Sequence, residues 1–334
     1  MKKLRKLCTI FVFIFSLFSV LSTINAEPAL IEPKDVSPQE TKFKEVWAYL
    51  MAGEESYLSN DLPITDIGYF GAEINSYGEL ISVTDVSRLD NFSGRVHLVI
   101  TCNSTALTHF AISRDGNVRR QLIKDILKAT ENYDGLQIDF ELVPKRDTEV
   151  FLDFLKDLKK GLKHKILTIA LPARTKTLEN DVYDYKNIAE IADKIFVMAY
   201  DEHWSGGSPG PVASLDWCYR IADYAIETVG KDKFIMGIPF YGRTWGNVSL
   251  NRAFYFSGIQ RIMRENNVKE VRRETGIPTF TYTVPSVTVT GYYDDVHSLS
   301  LRLKHYENLE LPAVGFWCLG QEDPRIWDYI EILR

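Results

Sequence analysis

Residues 133–141 hold the side chains whose types and spacing most clearly predict chemistry. Side chains alternate between the two faces of a strand, and here one face is apolar. The other face carries Gly135, Gln137, Asp139 and Glu141. Buried carboxylates are costly unless they are hydrogen-bonded and useful. We therefore interpret Asp139 and Glu141 as a pair with separated pKa values, in which the residue nearer solvent acts as general acid and the deeper one orients or stabilises a reacting group. The alternative is a pair of surface charges at a strand end.

Short β-rich segments alternate with longer amphipathic ones around this strand. The candidate strands are Val46–Met51, Asp66–Phe70, Val96–Cys102, Gly135–Phe140, Ile166–Leu171, Lys194–Tyr200, Phe234–Ile238 and Ala313–Leu319. The helical patterns between them include Arg119–Ala129, Thr148–Leu162, Tyr185–Ala192 and Ser214–Val229. This alternation predicts a (β/α)₈ barrel with the polar face of residues 135–141 inside it.

One connection is too long for a single helix. Residues 247–294, between the seventh and eighth candidate strands, contain the helical stretch Ser257–Asn266 and two β-prone pieces, Thr279–Val284 and Val287–Tyr293. We predict a small α+β insertion here, within a catalytic barrel spanning residues 41–334. Such an insertion would deepen a cleft on the face where barrels keep their chemistry.

The first residues are typical of an export signal. A basic start is followed by an apolar run and a small residue at Ala26, which predicts a signal peptide over residues 1–26. The alternative is an uncleaved anchor, although the run is short for a membrane span. Residues 27–40 are rich in Pro, Glu and Asp and predict a linker. We expect a secreted or periplasmic protein without stable membrane association after cleavage.

Charge and cysteine usage narrow the function classes. The formal net charge of −6 disfavours nucleic-acid binding. Three cysteines lie beyond the predicted signal peptide, Cys102, Cys218 and Cys318, and an odd number in an exported protein argues against a disulfide framework. Their wide spacing lacks the close pairing of a cysteine metal site. Nothing in the sequence calls for a metal or an organic cofactor.

Four motifs in chain order carry a family resemblance. Residues 134–141 resemble the D-G-x-D-x-D-x-E signature of family 18 glycoside hydrolases, the chitinase family. The further matches are Met198-Ala199-Tyr200-Asp201, Gly237-Ile238-Pro239-Phe240-Tyr241-Gly242-Arg243 and Gly315-Phe316-Trp317. Residues 200–204, 209–214 and 320–324 further resemble the branch that includes bacterial spore-cortex-lytic enzymes, which act on peptidoglycan fragments.

The resemblance implies retaining hydrolysis in which the substrate's own 2-acetamido group is the nucleophile. Glu141 would protonate the leaving oxygen and then act as base toward water. Asp139 and Tyr200 would hold the acetamido group, and Trp317 would be the apolar floor under the sugar. The other positions that the resemblance implies are Gln137, Met198, Asp201, Tyr241 and Arg243 for substrate binding, with Asp134 and Gly135 as structural support.

Gln137 departs from the family pattern, which usually has Asp at that position. An amide cannot share a proton with Asp139, so we expect Asp139 to ionise more readily. The expected partner is an N-acetylglucosamine-containing glycan bound by a monomer. Peptidoglycan, chitin-type and N-glycan substrates stay open, and so does exo versus endo action. A non-catalytic glycan-binding protein is the alternative, which the presence of Glu141 disfavours.

Four further residues near the expected cleft permit two interpretations each. His203 follows an acidic pair, but no second histidine lies at metal-ligand spacing, which favours a loop histidine. Trp204, Trp245 and Tyr293 could each stack on a sugar or pack in a core.

Overall fold

The computed structural model describes residues 30–33, 37–114, 116–247 and 251–333. The predicted signal peptide therefore lies outside the described residues. Within them, no helix is long and apolar enough to cross a membrane. Of the predicted linker, the backbone of Ile31 exchanges two hydrogen bonds with the Gln260 side chain, and the backbone of Gln39 does the same with Ser300.

Eight parallel strands close into a barrel, as the alternating pattern predicts. They are β1 (Glu45–Met51), β2 (Asp66–Ile74), β3 (Arg95–Thr101), β4 (Gly135–Asp139), β5 (Ile166–Pro172), β6 (Lys194–Met198), β7 (Phe234–Pro239) and β8 (Ala313–Trp317). Each strand pairs with the next, and β8 pairs with β1, which closes the sheet.

The α-helices of the described residues are α1 (Thr105–Ile112), α2 (Val118–Ala129), α3 (Thr148–Leu162), α4 (Tyr185–Ala189), α5 (Leu215–Val229), α6 (Phe256–Glu265) and α7 (Val296–Asn308). α6 belongs to the insertion between β7 and β8, and the others cover the outside of the barrel. Short strands at Thr41–Phe43 and Ile330–Ile332 pair in parallel, and Leu80–Ile81 pairs with the end of β2.

The alternation along β4 divides its side chains between two cores. Leu136, Ile138 and Phe140 are buried in the layer between barrel and helices. The opposite face of β4 points into the barrel, where Gln137 is fully buried. The interior is filled mainly by aromatic and aliphatic side chains, including Trp47, Tyr49, Phe70, Val99, Phe196 and Ile235. The polar face of β4 therefore lies where branched apolar residues are the rule.

Close packing in the barrel interior requires a glycine on β8. A Cβ on Gly315 would lie 2.3 Å from the ring of Phe196, so a side chain there would displace that ring. Phe196 in turn packs on Tyr49 with ring centroids 4.6 Å apart. This packing supports the floor of the cavity at the carboxyl ends of the strands.

A small α+β insertion separates β7 from β8. Its antiparallel sheet has the strand order Arg252–Phe254, Gly242–Gly246, Val287–Tyr292, Ile277–Val284 and Val271–Glu274. Phe280 and Tyr293 pack on one side against α6. The sheet begins at Gly242, directly after β7 and earlier than the predicted boundary at 247, so the insertion carries Arg243.

Candidate active site

A cavity of about 360 Å³ opens at the carboxyl ends of the barrel strands. It is lined by Tyr49, Asp139, Glu141, Pro172, Ala173, Met198, Tyr200, Asp201, Tyr241 and Trp317. Most of the predicted site residues therefore meet in one place, although they come from four of the strands and their following turns.

Four predicted residues lie outside the lining. Gly135 is the first residue of β4, where a Cβ would lie 2.3 Å from the His97 ring. Gln137 is buried one pleat below Asp139 on β4. Arg243 reaches the site through Asp201, to which its Nη2 donates at 2.7 Å. Asp134 lies at the opposite end of β4, where its carboxylate accepts a 2.8 Å hydrogen bond from the N–H of Val96 on the neighbouring strand.

The two carboxyls of β4 differ in exposure. Asp139 is 7% exposed, whereas Glu141 follows the strand and is reached by solvent. Burial, and secondly the charge of Glu141, raises the pKa of Asp139 to about 7. Loss of surrounding water, and then the charge of Asp201, also raises the pKa of Glu141. The raised pKa of Glu141 favours the protonated carboxyl that a general acid requires.

The pKa of Asp139 is raised although its inward-facing neighbour on β4, Gln137, is an amide and carries no charge. Burial is the largest cause of the raised pKa of Asp139, and it acts whichever residue stands at 137. Among the described residues, Asp139 Oδ1 and both polar atoms of the Gln137 side chain have no hydrogen-bond partner. Because Asp139 lines the cavity, its unpartnered oxygen is available to a donor group of a bound ligand.

Asp201 is fixed by two donors. Its Oδ1 accepts from the Tyr241 hydroxyl at 2.6 Å and from Arg243 at 2.7 Å, and the Arg243 guanidinium carbon lies 5.7 Å from the centroid of the Tyr241 ring. Asp201 has a φ of 59°, a left-handed conformation that is uncommon for a non-glycine residue. This arrangement holds a partly exposed carboxylate beside Glu141, suited to accepting hydrogen bonds from hydroxyl groups.

Trp317 forms the apolar wall of the cavity. Its ring packs edge-on against Tyr49 and Phe70, with centroids 5.3 Å and 5.1 Å apart. These contacts hold the indole between the barrel interior and the cavity. An aromatic face held in this way suits the C–H face of a pyranose.

The raised pKa of Asp139 predicts a pH dependence of stability. Its folded value of about 7 exceeds the unfolded value near 3.8, so between these pH values the unfolded chain loses its proton first and the folded state is destabilised as pH rises. The Asp139→Asn variant lacks this titration. We compare the unfolding free energy of this variant with that of the parent. As the pH rises from 4.5 to 8, we expect the difference to change in favour of the variant by on the order of 2 kcal/mol. Urea unfolding of both proteins at the two pH values measures this, and an unchanged difference would contradict it.

Two functional candidates were not identified from the sequence. Tyr49 on β1 lines the cavity, and burial followed by the charge of Asp139 raises the pKa of its hydroxyl well above the usual range. The inward alternation of Trp47, Tyr49 and Met51 could have indicated it. Tyr183 contacts the turn after β4 from a distant loop, and no local pattern marks it.

The structure shows the surroundings of the four residues for which the sequence permits two interpretations. Trp245 and Tyr293 are buried, 2% and 1% exposed, and pack in the cores of the insertion. Trp204 is 57% exposed. His203 Nδ1 lies 2.9 Å from the Pro211 carbonyl oxygen, which supports the loop interpretation. No group of three or more His, Cys, Asp or Glu side chains in the described ranges could hold a metal ion.

The three described cysteines are buried, and each has a free thiol. Burial raises the pKa of the Cys318 thiol to about 12 and that of Cys218 to about 11. Thiols held in the neutral form are poor nucleophiles, so these residues serve as small apolar groups.

Comparison with known proteins identifies relatives of this chain. The family model for glycosyl hydrolases family 18 matches residues 7–322. The putative sporulation-specific glycosylase YdhD of Bacillus subtilis is 33% identical over 231 residues, which are 65% of this chain and 54% of that protein. The cortical fragment-lytic enzyme of Bacillus anthracis is 23% identical over 286 residues, 79% of this chain and 66% of that enzyme. The chain thus spans between about half and two thirds of the length of these relatives.

A solved structure shares the fold. The spore cortex-lytic enzyme SleL of Bacillus cereus superimposes with a TM-score of 0.79 at 22% identity, covering 88% of this chain and 76% of that one. At this level of identity the likeness supports the barrel architecture, and the chemistry has to be argued from the side chains in the cavity.

Proposed function

Because the chain belongs to the glycosyl hydrolases of family 18, we propose that it cleaves β-linked N-acetylglucosamine glycans by retaining, substrate-assisted catalysis. The observation that carries the proposal is the meeting of Asp139, Glu141, Tyr200 and Trp317 around one cavity. These four residues supply an acid, two groups for an acetamido substituent and an apolar floor for a sugar ring.

In the proposed first step, Glu141 protonates the glycosidic oxygen while the acetamido carbonyl oxygen attacks the anomeric carbon. Asp139 accepts a hydrogen bond from the acetamido N–H and stabilises the positive oxazolinium that forms. Tyr200 donates its hydroxyl to the same substituent. Holding the nucleophile beside the anomeric carbon makes the attack intramolecular, which removes much of its entropic barrier.

In the second step, Glu141 as a carboxylate removes a proton from water as the water opens the oxazolinium. The two displacements restore the original anomeric configuration. Asp201 accepts hydrogen bonds from sugar hydroxyls beside the scissile bond. Its partners Tyr241 and Arg243 donate hydrogen bonds to those hydroxyls. Met198 provides apolar contact in the lining.

For the substrate, we favour peptidoglycan fragments over chitin-type oligomers. The support comes from the relatives, since one is named a cortical fragment-lytic enzyme. The leader-like residues 1–26 support a site of action outside the cytoplasmic membrane. Release of N-glycans from glycoproteins is the third substrate class that the same cavity chemistry permits.

The test uses the parent protein with peptidoglycan fragments, N-acetylglucosamine oligomers and an N-glycosylated protein. Products are reduced with borohydride and analysed by mass spectrometry. Reduced N-acetylglucosamine ends from peptidoglycan support the favoured substrate, and cleavage of the oligomers alone supports the chitin-type one. Binding without cleavage of any of them would instead support the non-catalytic glycan-binding alternative.

A further inference from the structure

The turn that carries Glu141 is bridged by a side chain from another part of the chain. The Tyr183 hydroxyl donates to the Phe140 carbonyl oxygen at 2.7 Å and accepts from the Val143 N–H at 2.9 Å. These two backbone groups flank Glu141 and Leu142, and they are the groups that close a four-residue turn. The distance between the ends of the turn is thus set by the bridging hydroxyl.

Tyr183 is itself held firmly in the loop between β5 and α4. Its backbone N–H donates to Asp181 at 3.2 Å, and Asp181 forms a two-point ion pair with Arg174 at 2.6 and 3.0 Å. Arg174 also donates to the carbonyl of Ala173, which lines the cavity. The Tyr183 ring is buried against Phe151, with centroids 6.4 Å apart. The hydroxyl therefore has a fixed position relative to the cavity wall.

We propose that Tyr183 is a positioning residue for Glu141: its hydroxyl holds the turn 140–143 at the width that aims the carboxyl at the glycosidic oxygen. The inference rests on the proposed role of Glu141 as general acid. Without the hydroxyl, the buried Phe140 carbonyl and Val143 N–H must find other partners, and residues i and i+3 of a turn can bond each other directly. Closing that bond narrows the turn and moves Glu141, and proton transfer is sensitive to such a displacement.

The test compares the parent with Tyr183→Phe on two substrates. An N-acetylglucosamine oligomer has a sugar leaving group that needs protonation, whereas a 2,4-dinitrophenyl N-acetylglucosaminide has a leaving group that needs almost none. We expect kcat/KM on the oligomer to fall about 10-fold, a part of the 10²–10⁴-fold that general acid catalysis contributes. On the dinitrophenyl substrate it should stay within about 2-fold, and KM for the oligomer should change little, because the cavity that binds the sugar is unaltered.

The matched control is Tyr133→Phe. Its hydroxyl is also mostly buried and donates to a backbone carbonyl, that of Thr84 at 2.7 Å, outside the cavity lining. This variant should keep the parent's activity on both substrates. Equal losses on both substrates in Tyr183→Phe, or no loss on either, would overturn the positioning role.

A second variant separates misfolding from mispositioning. If thermal unfolding shows that Tyr183→Phe does not fold, Asp181→Asn keeps the hydroxyl but weakens the support of its backbone, and it should show the same selective loss on the oligomer. Failure of this selectivity would overturn the proposal. A parent protein that cleaves neither of these substrates nor peptidoglycan fragments would instead refute the proposed glycosidase function, so the two failures are distinguishable.

Discussion

Replacement of Glu141 by Gln should lower kcat on N-acetylglucosamine oligomers by about 10³-fold, within the range that general acid–base catalysis contributes. The amide keeps the size of the side chain but cannot give a proton to the leaving oxygen. It also cannot accept one from water in the second step. The raised pKa of Glu141, due first to its loss of water and then to Asp201, keeps the parent side chain protonated at a higher pH than an ordinary glutamate.

Initial rates from quantified reducing ends measure this effect, and the affinity for the oligomer should stay within a few-fold, because the rest of the cavity is intact. Glu149→Gln, on the exposed surface at the start of α3, is the matched control and should leave kcat unchanged. A Glu141→Gln variant with the parent's rate would exclude Glu141 as the acid and would remove the basis for the role of Tyr183.

The second large effect is expected for Asp139→Asn. We expect kcat on the oligomers to fall by about 10²–10³-fold, because the asparagine has no negative charge to stabilise the oxazolinium and can place its N–H₂ toward the acetamido group. Asp139 is buried and its Oδ1 has no partner among the described residues, so a ligand group is the available donor.

A stable cyclic mimic of the oxazolinium checks the cause. Its affinity should fall in the Asp139→Asn variant in parallel with kcat, since a transition-state-like ligand loses the same interaction as the reaction. An exposed control, Asp216→Asn on α5, should change neither value. Reduced kcat with unchanged affinity for the mimic would mean that Asp139 acts on Glu141 rather than on the substrate.

The fold could be predicted because its signals are local. The polar and apolar alternation over residues 135–141 determines which side chains of β4 enter the barrel, since a strand has a period of two. All eight predicted strands occur in the structure, with ends displaced by a few residues. In the insertion, the helix and two strands were predicted, but the strands Gly242–Gly246, Arg252–Phe254 and Val271–Glu274 were not, because such short strands carry little apolar periodicity.

The cavity itself was only partly predictable. Motif spacing indicated Asp139, Glu141, Tyr200 and Trp317, whose proximity follows from the common edge at which parallel strands end. For Trp245 the sequence permits both a sugar platform and a core position, because an aromatic residue without periodic neighbours cannot be assigned to a face. Its burial depends on the sheet of the insertion.

By itself the sequence determined the barrel, the inward face of β4 and the residue types available for acid catalysis, since each follows from periodicity within short segments. Only the tertiary structure decided that Tyr183 bridges the turn 40 residues before it. It also decided that Asp139 has a pKa of about 7, because that value depends on burial by side chains from other strands. Contacts and desolvation arise when distant segments meet, and no local pattern in the chain records that meeting.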